Sequence, residues 1–433
     1  SEARKNKFRK YPSPKSGGDR LYPLASPQCA PSFKFSDKHE IYAIGSCFAR
    51  NVERALEGVG QNVISRGFDL GKIGESLTDS YNFFNKYSIH SFLNEIKWAL
   101  ERDTFPGADL FYEAEEGVYY DCQLGMPRLE FPVEDILEFR HRYLDSVAQV
   151  ATTDVIILTL GYVETWYDRK LDIYLNVAPP PQLYKTEPDR FEFRVLSYQD
   201  VLKSLNDLYE LLQKHRKQPL KMLITVSPVS LLVTFRNMYV LVSNSYSKSF
   251  QRAASDEFLL DKEGMDYFPS FEYVTLSDPN FAWKSKDYRH PTDDVVKRIM
   301  DNVVLHYIDQ GDEAEKEPEP EFDIDKVRED MRALLAEKKF PEILDYVSGR
   351  RDEVDQSFDL LVIESHAYFH SGDIKTAADK LDLAVGLAPF QPMPLERSIL
   401  VYRKLDKKQK VKSLLKTHER KFPARQEFRD KIA

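Results

Sequence analysis

The stretch "DVIILTLG", residues 154–161, constrains the fold of this chain more than any other. A strand with one wet face alternates apolar and polar residues. A run that is apolar on both sides belongs to a strand covered on both faces, which is the situation in a parallel sheet. Two further segments read as partners, "EIYAIG" at 40–45 and "KMLITVSPV" at 221–229, with "YVTL" at 273–276 expected as a fourth strand. Between them lie helical patterns: "RNVERALEGVG", "IHSFLNEIKWALERD" and "YQDVLKSLNDLYELLQKHR". "TDDVVKRIMDNVVLHYI" closes the series, with Thr292 placed to cap it. Such alternation predicts a doubly wound α/β domain over residues 37–308, whose sites lie at the carboxyl ends of its strands.

The flanks differ. Residues 1–36 are polar and proline-rich and read as an extended lead-in that wraps the first domain. Residues 309–321 are acidic and broken by prolines, as a linker would be. Beyond them, over 322–433, the strand signal vanishes and a small all-α domain is expected. "HAYFHSGDIKTAADKLDLAVGLAP" sets Ala367, Tyr368, Gly372, Ala377, Leu381, Ala384 and Pro389 at a spacing that resembles a tetratricopeptide-type helix pair. The length leaves room for three such hairpins and a partner-binding role. His366 and His370 in that stretch read as helix packing, since no third metal ligand is near.

Composition narrows the function. The chain has 433 residues, 42% of them hydrophobic, and a formal charge of −9, which argues against a broad nucleic-acid or anionic-membrane footprint. Three cysteines, Cys29, Cys47 and Cys122, form no disulfide framework and fit a reducing compartment. No run reaches the length of a membrane span, and the basic N-terminus lacks the apolar core of a signal peptide. A soluble, cytoplasmic protein is expected, with no metal and no required cofactor.

Three segments offer chemistry. Gly45-Ser46-Cys47 follows the first strand, "LGYVETW" at 160–166 follows the strongest one, and "DYRHP" at 287–291 precedes the last helix. Acyl transfer needs a nucleophile, a histidine base, a carboxylate to orient it and donors for the oxyanion. Cys47, one or two residues before a helix, is expected to have its pKa drawn toward neutrality by the helix field and by pairing with His290. The backbone N–H groups of Cys47 and Phe48 are natural oxyanion donors. Ser46 is the rival nucleophile, or else a helix cap.

"GSCFA" at 45–49, with "TLGYVETW", "TVSPV", "NSYSKSFQRA", "YFPSFE" and "DYRHPT" following in order, resembles the GSCFA family over residues 37–308. That family is similar to SGNH (GDSL-type) hydrolases and acyltransferases, which have a flavodoxin-like three-layer α/β/α fold. The resemblance implies Cys47 as nucleophile, His290 as base and Asp287 as its orienter. Where the superfamily has an oxyanion asparagine, this chain has Val163, so a different donor is needed; Gly71 or Gly74 is the candidate for the second-block glycine, with Asn82 a nearby donor. Gly161 and Glu164 complete the third block, Glu164 as an acceptor for substrate. Tyr162 and Trp166 are candidates to line the pocket, and Ser245, Lys248 and Arg252 to contact an anionic acyl donor or a sugar. Similar proteins in bacterial surface-polysaccharide synthesis make an O-acyltransferase using acetyl-CoA or another acyl-CoA on a sugar the favoured reading. An SGNH-type esterase, a scaffold with a degenerate hydrolase fold and a thiol redox sensor are the alternatives.

Overall fold

The structure is a computed structural model that describes residues 11–12, 21–76, 82–309, 324–355, 357–388 and 391–432. These fall into two compact units: residues 27–309, and 324–432 together with 11–12 and 21–26. The linker expected at 309–321 lies, from residue 310, outside the described residues, as do residues 1–10 and 13–20 of the lead-in.

In chain order the first unit contains β1 (Glu40–Gly45), β2 (Asn62–Val63), β3 (Phe111–Glu115), β4 (Val118–Asp121) and β5 (Arg128–Leu129). These are followed by β6 (Val155–Leu160), β7 (Glu164–Asp168), β8 (Ile173–Leu175), β9 (Phe191–Val195), β10 (Lys221–Val226) and β11 (Met265–Tyr267). Five of them make a wholly parallel sheet in the order β11-β10-β6-β1-β2. All six residues of β6, the "VIILTL" of the diagnostic stretch, are buried at its centre.

Register explains the double burial. Ile44, Leu158 and Ile224 are level across the sheet and point to one face, with Tyr42, Ile156 and Met222 behind them. That face packs on the helices Ile89–Leu100, Val133–Val147 and Tyr198–His215 through Phe92, Ile96, Phe139 and Leu205. The opposite face meets the helices Cys47–Gly58 and Ser270–Thr275, against which Asp293–Tyr307 lies. With both faces covered, the central strand is apolar except at Thr159, whose buried hydroxyl has no partner among the described residues.

Strand order reverses between β1 and β6. In an open α/β sheet that switch point leaves a crevice beyond the carboxyl ends, flanked here by the turns after Gly45 and Leu160.

Several expectations need correction. "YVTL" is not a strand: residues 273–275 lie in the helix Ser270–Thr275, and the edge strand is β11, a segment too short and polar to signal itself. The sheet unit also begins before residue 37: Ser32 N donates to Asp266 at 2.8 Å, and Phe35 bridges to Ile308. Two small antiparallel sheets, β3-β4-β5 and β8-β7-β9, were not anticipated.

Arg140 belongs to a wholly buried ionic cluster. Its Nη2 lies 2.9 Å from Glu95 Oε1 and its Nε 3.1 Å from Asp121, while Lys86 Nζ lies 2.8 Å from the same Glu95 oxygen. Burial raises the Glu95 carboxyl, yet Arg140 and Lys86 together outweigh it and hold it low. The cluster fixes the segment 82–88, whose Lys86 N donates to Gly45 O at 2.8 Å.

The second unit is helical. The helices Phe358–His370 and Ile374–Leu387 form a tight pair with Ala367, Ala377 and Ala384 fully buried, turning at Gly372 with φ +91°. The pairs Ile324–Ala336 with Phe340–Ser348 and Pro392–Lys404 with Lys408–Lys421 flank it. Pro389 lies outside the described residues.

Removing one member of a buried ionic cluster strands the others. Arg140→Leu is expected to cost about 3–5 kcal/mol, read as a lower midpoint in urea unfolding followed by tryptophan fluorescence. An unchanged midpoint would show that the cluster contributes nothing net.

Candidate active site

The turn after β1 is set by a close approach. A Cβ on Gly45 would sit 2.5 Å from the Thr159 carbonyl oxygen, so only glycine lets the ends of β1 and β6 meet. Ser46 N then donates to Thr159 O at 3.2 Å, and the helix starts at Cys47 itself. Ser46 occupies the cap position but makes no capping bond. Its hydroxyl is buried and has no partner among the described residues.

Cys47 is half-buried at the crevice. Burial pushes its thiol up; Arg289, then Lys248, then the N–H groups of Cys47 and Phe48 pull the other way. The expected drift toward neutrality is therefore corrected: desolvation outweighs the helix field and the two cations. No hydrogen bond joins Cys47 to His290 among the described residues, although both line the same two cavities.

Asp287 and His290 form the expected pair, with Nδ1 2.6 Å from Oδ2. The other carboxylate oxygen accepts from Arg289 N at 3.0 Å and His290 N at 3.1 Å, so the loop closes around it. The His290 bond and these N–H groups hold the Asp287 carboxyl far below the usual range. Tyr288, with φ +50°, takes the left-handed conformation that lets this turn close. The Nε2 of His290, the atom that would face a thiol, lies 3.2 Å from Arg289 Nη2. Arg289 Nη1 donates to Ser230 O at 3.1 Å.

On the other side of the crevice, Lys248 is fully buried and donates to Gly161 O at 2.6 Å, with Gln251 donating to the same oxygen at 3.0 Å. Burial lowers the Lys248 amine to about 7, with Cys47 acting in the opposite direction. Lys248 thus stands at the site as a buried amine, not as an exposed contact. Gly161 is glycine because its backbone runs against the Tyr87 carbonyl, leaving no room for a Cβ. Tyr162 stacks on Tyr87 at 5.3 Å, and Tyr162 N donates to Tyr87 O at 2.9 Å.

Glu164 lines the cavity, but its oxygens are in use. Thr234 Oγ1 donates at 2.8 Å, Ser243 Oγ donates as well, and Phe235 N approaches at 3.3 Å. It anchors the segment that walls the cavity. Val163 is buried and its N donates to Ser247 Oγ at 2.9 Å, so it serves the core. Asn82 lines both cavities and accepts from Asn85 Nδ2 at 2.8 Å; Phe48 contributes only backbone, its ring being buried.

Three expected residues are elsewhere. Gly74 sits in the helix Gly71–Ser76 against Leu70. Ser245 is exposed and turns its hydroxyl back to Leu241 O at 3.1 Å. Arg252 pairs with Glu272 and Asp256 and lines a different cleft, beside Cys29. The sequence reading missed Arg289, Tyr87 and Asn176. Arg289 stands inside the quoted "DYRHP". Tyr87 and Asn176 lie in irregular segments and meet only in space, Tyr87 N donating to Asn176 Oδ1 at 2.7 Å.

The two cavities, of about 640 and 600 Å³, meet at Cys47 and His290. Lys284, Lys286 and Lys297 line the first, with Asp293 and Asp301 among them. Trp166, Phe193 and Phe235 line the second. Among the described residues no cluster suits a metal ion, and the three thiols remain free. Cys122 is buried in an aromatic cluster apart from Cys47. No helix among the described residues is long and apolar enough to cross a membrane.

In comparisons with known proteins, the model of the GSCFA family matches residues 40–303, more than half of the chain. No curated protein and no solved structure matches it.

The buried amine and the cation beside the thiol each give a pH signature. The unfolded chain holds the lysine proton up to about pH 10.4, whereas folded Lys248 loses it near 7. Unfolded chain thus binds more protons between these values, and stability rises with pH across that window. Lys248→Met is expected to flatten this rise in urea midpoints taken between pH 7 and 10; an undiminished rise would place the titration elsewhere. Separately, Arg289→Met is expected to raise the midpoint of Cys47 alkylation by about one pH unit, measured with iodoacetamide across pH 6–11. An unmoved midpoint would remove Arg289 from the thiol's surroundings.

Proposed function

The chain belongs to the GSCFA family, and from that premise and the geometry of the crevice we propose that it is an acyl-transfer enzyme with Cys47 as nucleophile. The reading takes the sheet unit as an SGNH-like, flavodoxin-like fold. The observation that carries it is the meeting, at one switch point, of a helix-start thiol and a histidine whose far nitrogen is fixed by a carboxylate at 2.6 Å.

In this mechanism Asp287 holds the imidazole with Nδ1 protonated, which leaves Nε2 as the base. The approach of substrate draws Arg289 off Nε2. The thiol proton passes to Nε2, and the sulfur attacks the donor carbonyl. The N–H groups of Cys47 and Phe48 and the Asn82 amide stabilise the oxyanion. Collapse expels the donor's leaving group, which takes the proton from His290, and a thioester remains on Cys47. An acceptor hydroxyl then gives its proton to His290, attacks the thioester and releases the thiolate. With water as acceptor the same steps describe an esterase.

The favoured acceptor is a sugar or polysaccharide precursor and the favoured donor an acyl-CoA, on the strength of the family resemblance. The C-terminal helix pairs, with alanines at the tightest crossing, support a tetratricopeptide-like, partner-binding reading of that unit. One observation favours the scaffold alternative: Arg289, not the thiol, faces His290 Nε2 in this arrangement.

Incubation with acyl thioesters followed by intact-mass and peptide analysis is expected to show one acyl group on Cys47, absent in Cys47→Ser. His290→Ala is expected to form it slower by about 10²–10⁴-fold. No adduct from any donor would end the covalent mechanism.

A further inference from the structure

One wall of the second cavity is unusually exposed. Leu232, Val233 and Phe235 line it, and Tyr239, Leu241 and Val242 follow within a few positions along the chain; each of the six is more than half exposed. So much exposed apolar side chain within eleven residues is unusual for a segment that serves no ligand or partner. Nor is the segment loosely held. Glu164 takes Thr234, Phe235 N and Ser243 from beneath, and Leu231 N donates to Asn244 Oδ1 at 3.0 Å. Trp166, Phe193 and Phe235 then pack with ring centroids within 5.6 Å of one another, Trp166 and Phe235 edge to face, and make an aromatic wall.

Polarity along the cavity has a direction. At its inner end stand the Cys47 thiol and Arg289, and the charge of the buried Lys248 amine, outside the lining, also acts on the thiol. Away from them the lining is aromatic and aliphatic, with Trp166, Phe193, Leu232, Val233 and Phe235. This order suits an amphiphile whose carbonyl end meets Arg289 at the thiol and whose tail runs along the aromatic wall.

We infer that the cavity, with its exposed apolar wall, binds the chain of a fatty acyl donor, so that the group passed to Cys47 is a long acyl chain and not acetyl. The inference rests on the acyl-transfer reading for its chemistry: the acyl–sulfur bond of a donor thioester breaks as the acyl–Sγ bond forms, and the donor thiol leaves with the proton from His290. It rests on the cavity alone for its binding.

Equilibrium binding of acetate, butyrate, octanoate and dodecanoate to the full chain, followed by calorimetry, separates the two. Full burial tightens binding by about fourfold per methylene, so even partial burial predicts at least about a tenfold gain from butyrate to dodecanoate. Leu232→Asp and Phe235→Asp lie at exposed positions, where the fold tolerates charge. Each is expected to lose at least about tenfold for dodecanoate and nothing for acetate, and to cut dodecanoyl transfer to Cys47 more than acetyl transfer. Dodecanoate binding without any adduct on Cys47 would keep this inference and overturn the acyl-transfer reading. Adduct formation indifferent to chain length, with flat fatty-acid affinities, would do the reverse. If Leu241→Asp abolishes flotation with phosphatidylcholine–phosphatidylglycerol vesicles, or self-association in sedimentation, while fatty-acid binding is flat, the segment serves a membrane or a second copy and the inference fails.

Discussion

The site depends on the close contact of two strand ends. Gly45 runs against the Thr159 carbonyl with no space for a side chain, and Ser46 N donates to that same oxygen. This contact turns the chain straight from β1 into a helix whose first residue is Cys47. A larger residue at position 45 would push the turn away from β6 and with it the sulfur from the crevice. Gly161 repeats the device after β6, letting Tyr87 and Tyr162 stack over the same opening. The buried Lys86–Glu95–Arg140–Asp121 cluster holds the third wall, the segment 82–88, against Gly45 O.

Electrostatics at the thiol are a contest between desolvation and cations. Burial raises Cys47, and Arg289 and Lys248 only partly offset it. Lys248 itself is driven down by its own burial. A sulfur in this state rests protonated and needs a base to act, which gives the Asp287–His290 pair its part in the proposed chemistry. Arg289, whose charge acts on the thiol, is bonded to Ser230 O and faces His290 Nε2, and in the proposed chemistry a ligand displaces it.

Much of the fold was legible because double burial leaves an unmistakable trace. "VIILTL" and its two counterparts became the three central parallel strands, since no polar face has to be accommodated there. Edge elements left no such trace: β11 has three residues, and the more apolar "YVTL" proved helical. Of the site, the residues carried by short local motifs, Cys47 and the Asp287–His290 pair, were readable because their geometry is fixed within a few positions. Glu164 and Lys248 were visible but their roles were not, because each is decided by partners some 70 to 90 positions away. Ser245 and Arg252 share the helix of Lys248, yet helical rotation turns them from the cavity.

The account turns on His290 serving as the base for Cys47 across a gap bridged by no hydrogen bond in this arrangement. The most direct measurement is the rate of Cys47 alkylation at neutral pH in the wild type, His290→Ala and Asp287→Asn. The account predicts a fall of at least about tenfold in both variants. Rates equal to the wild type would contradict it and leave the imidazole a bystander.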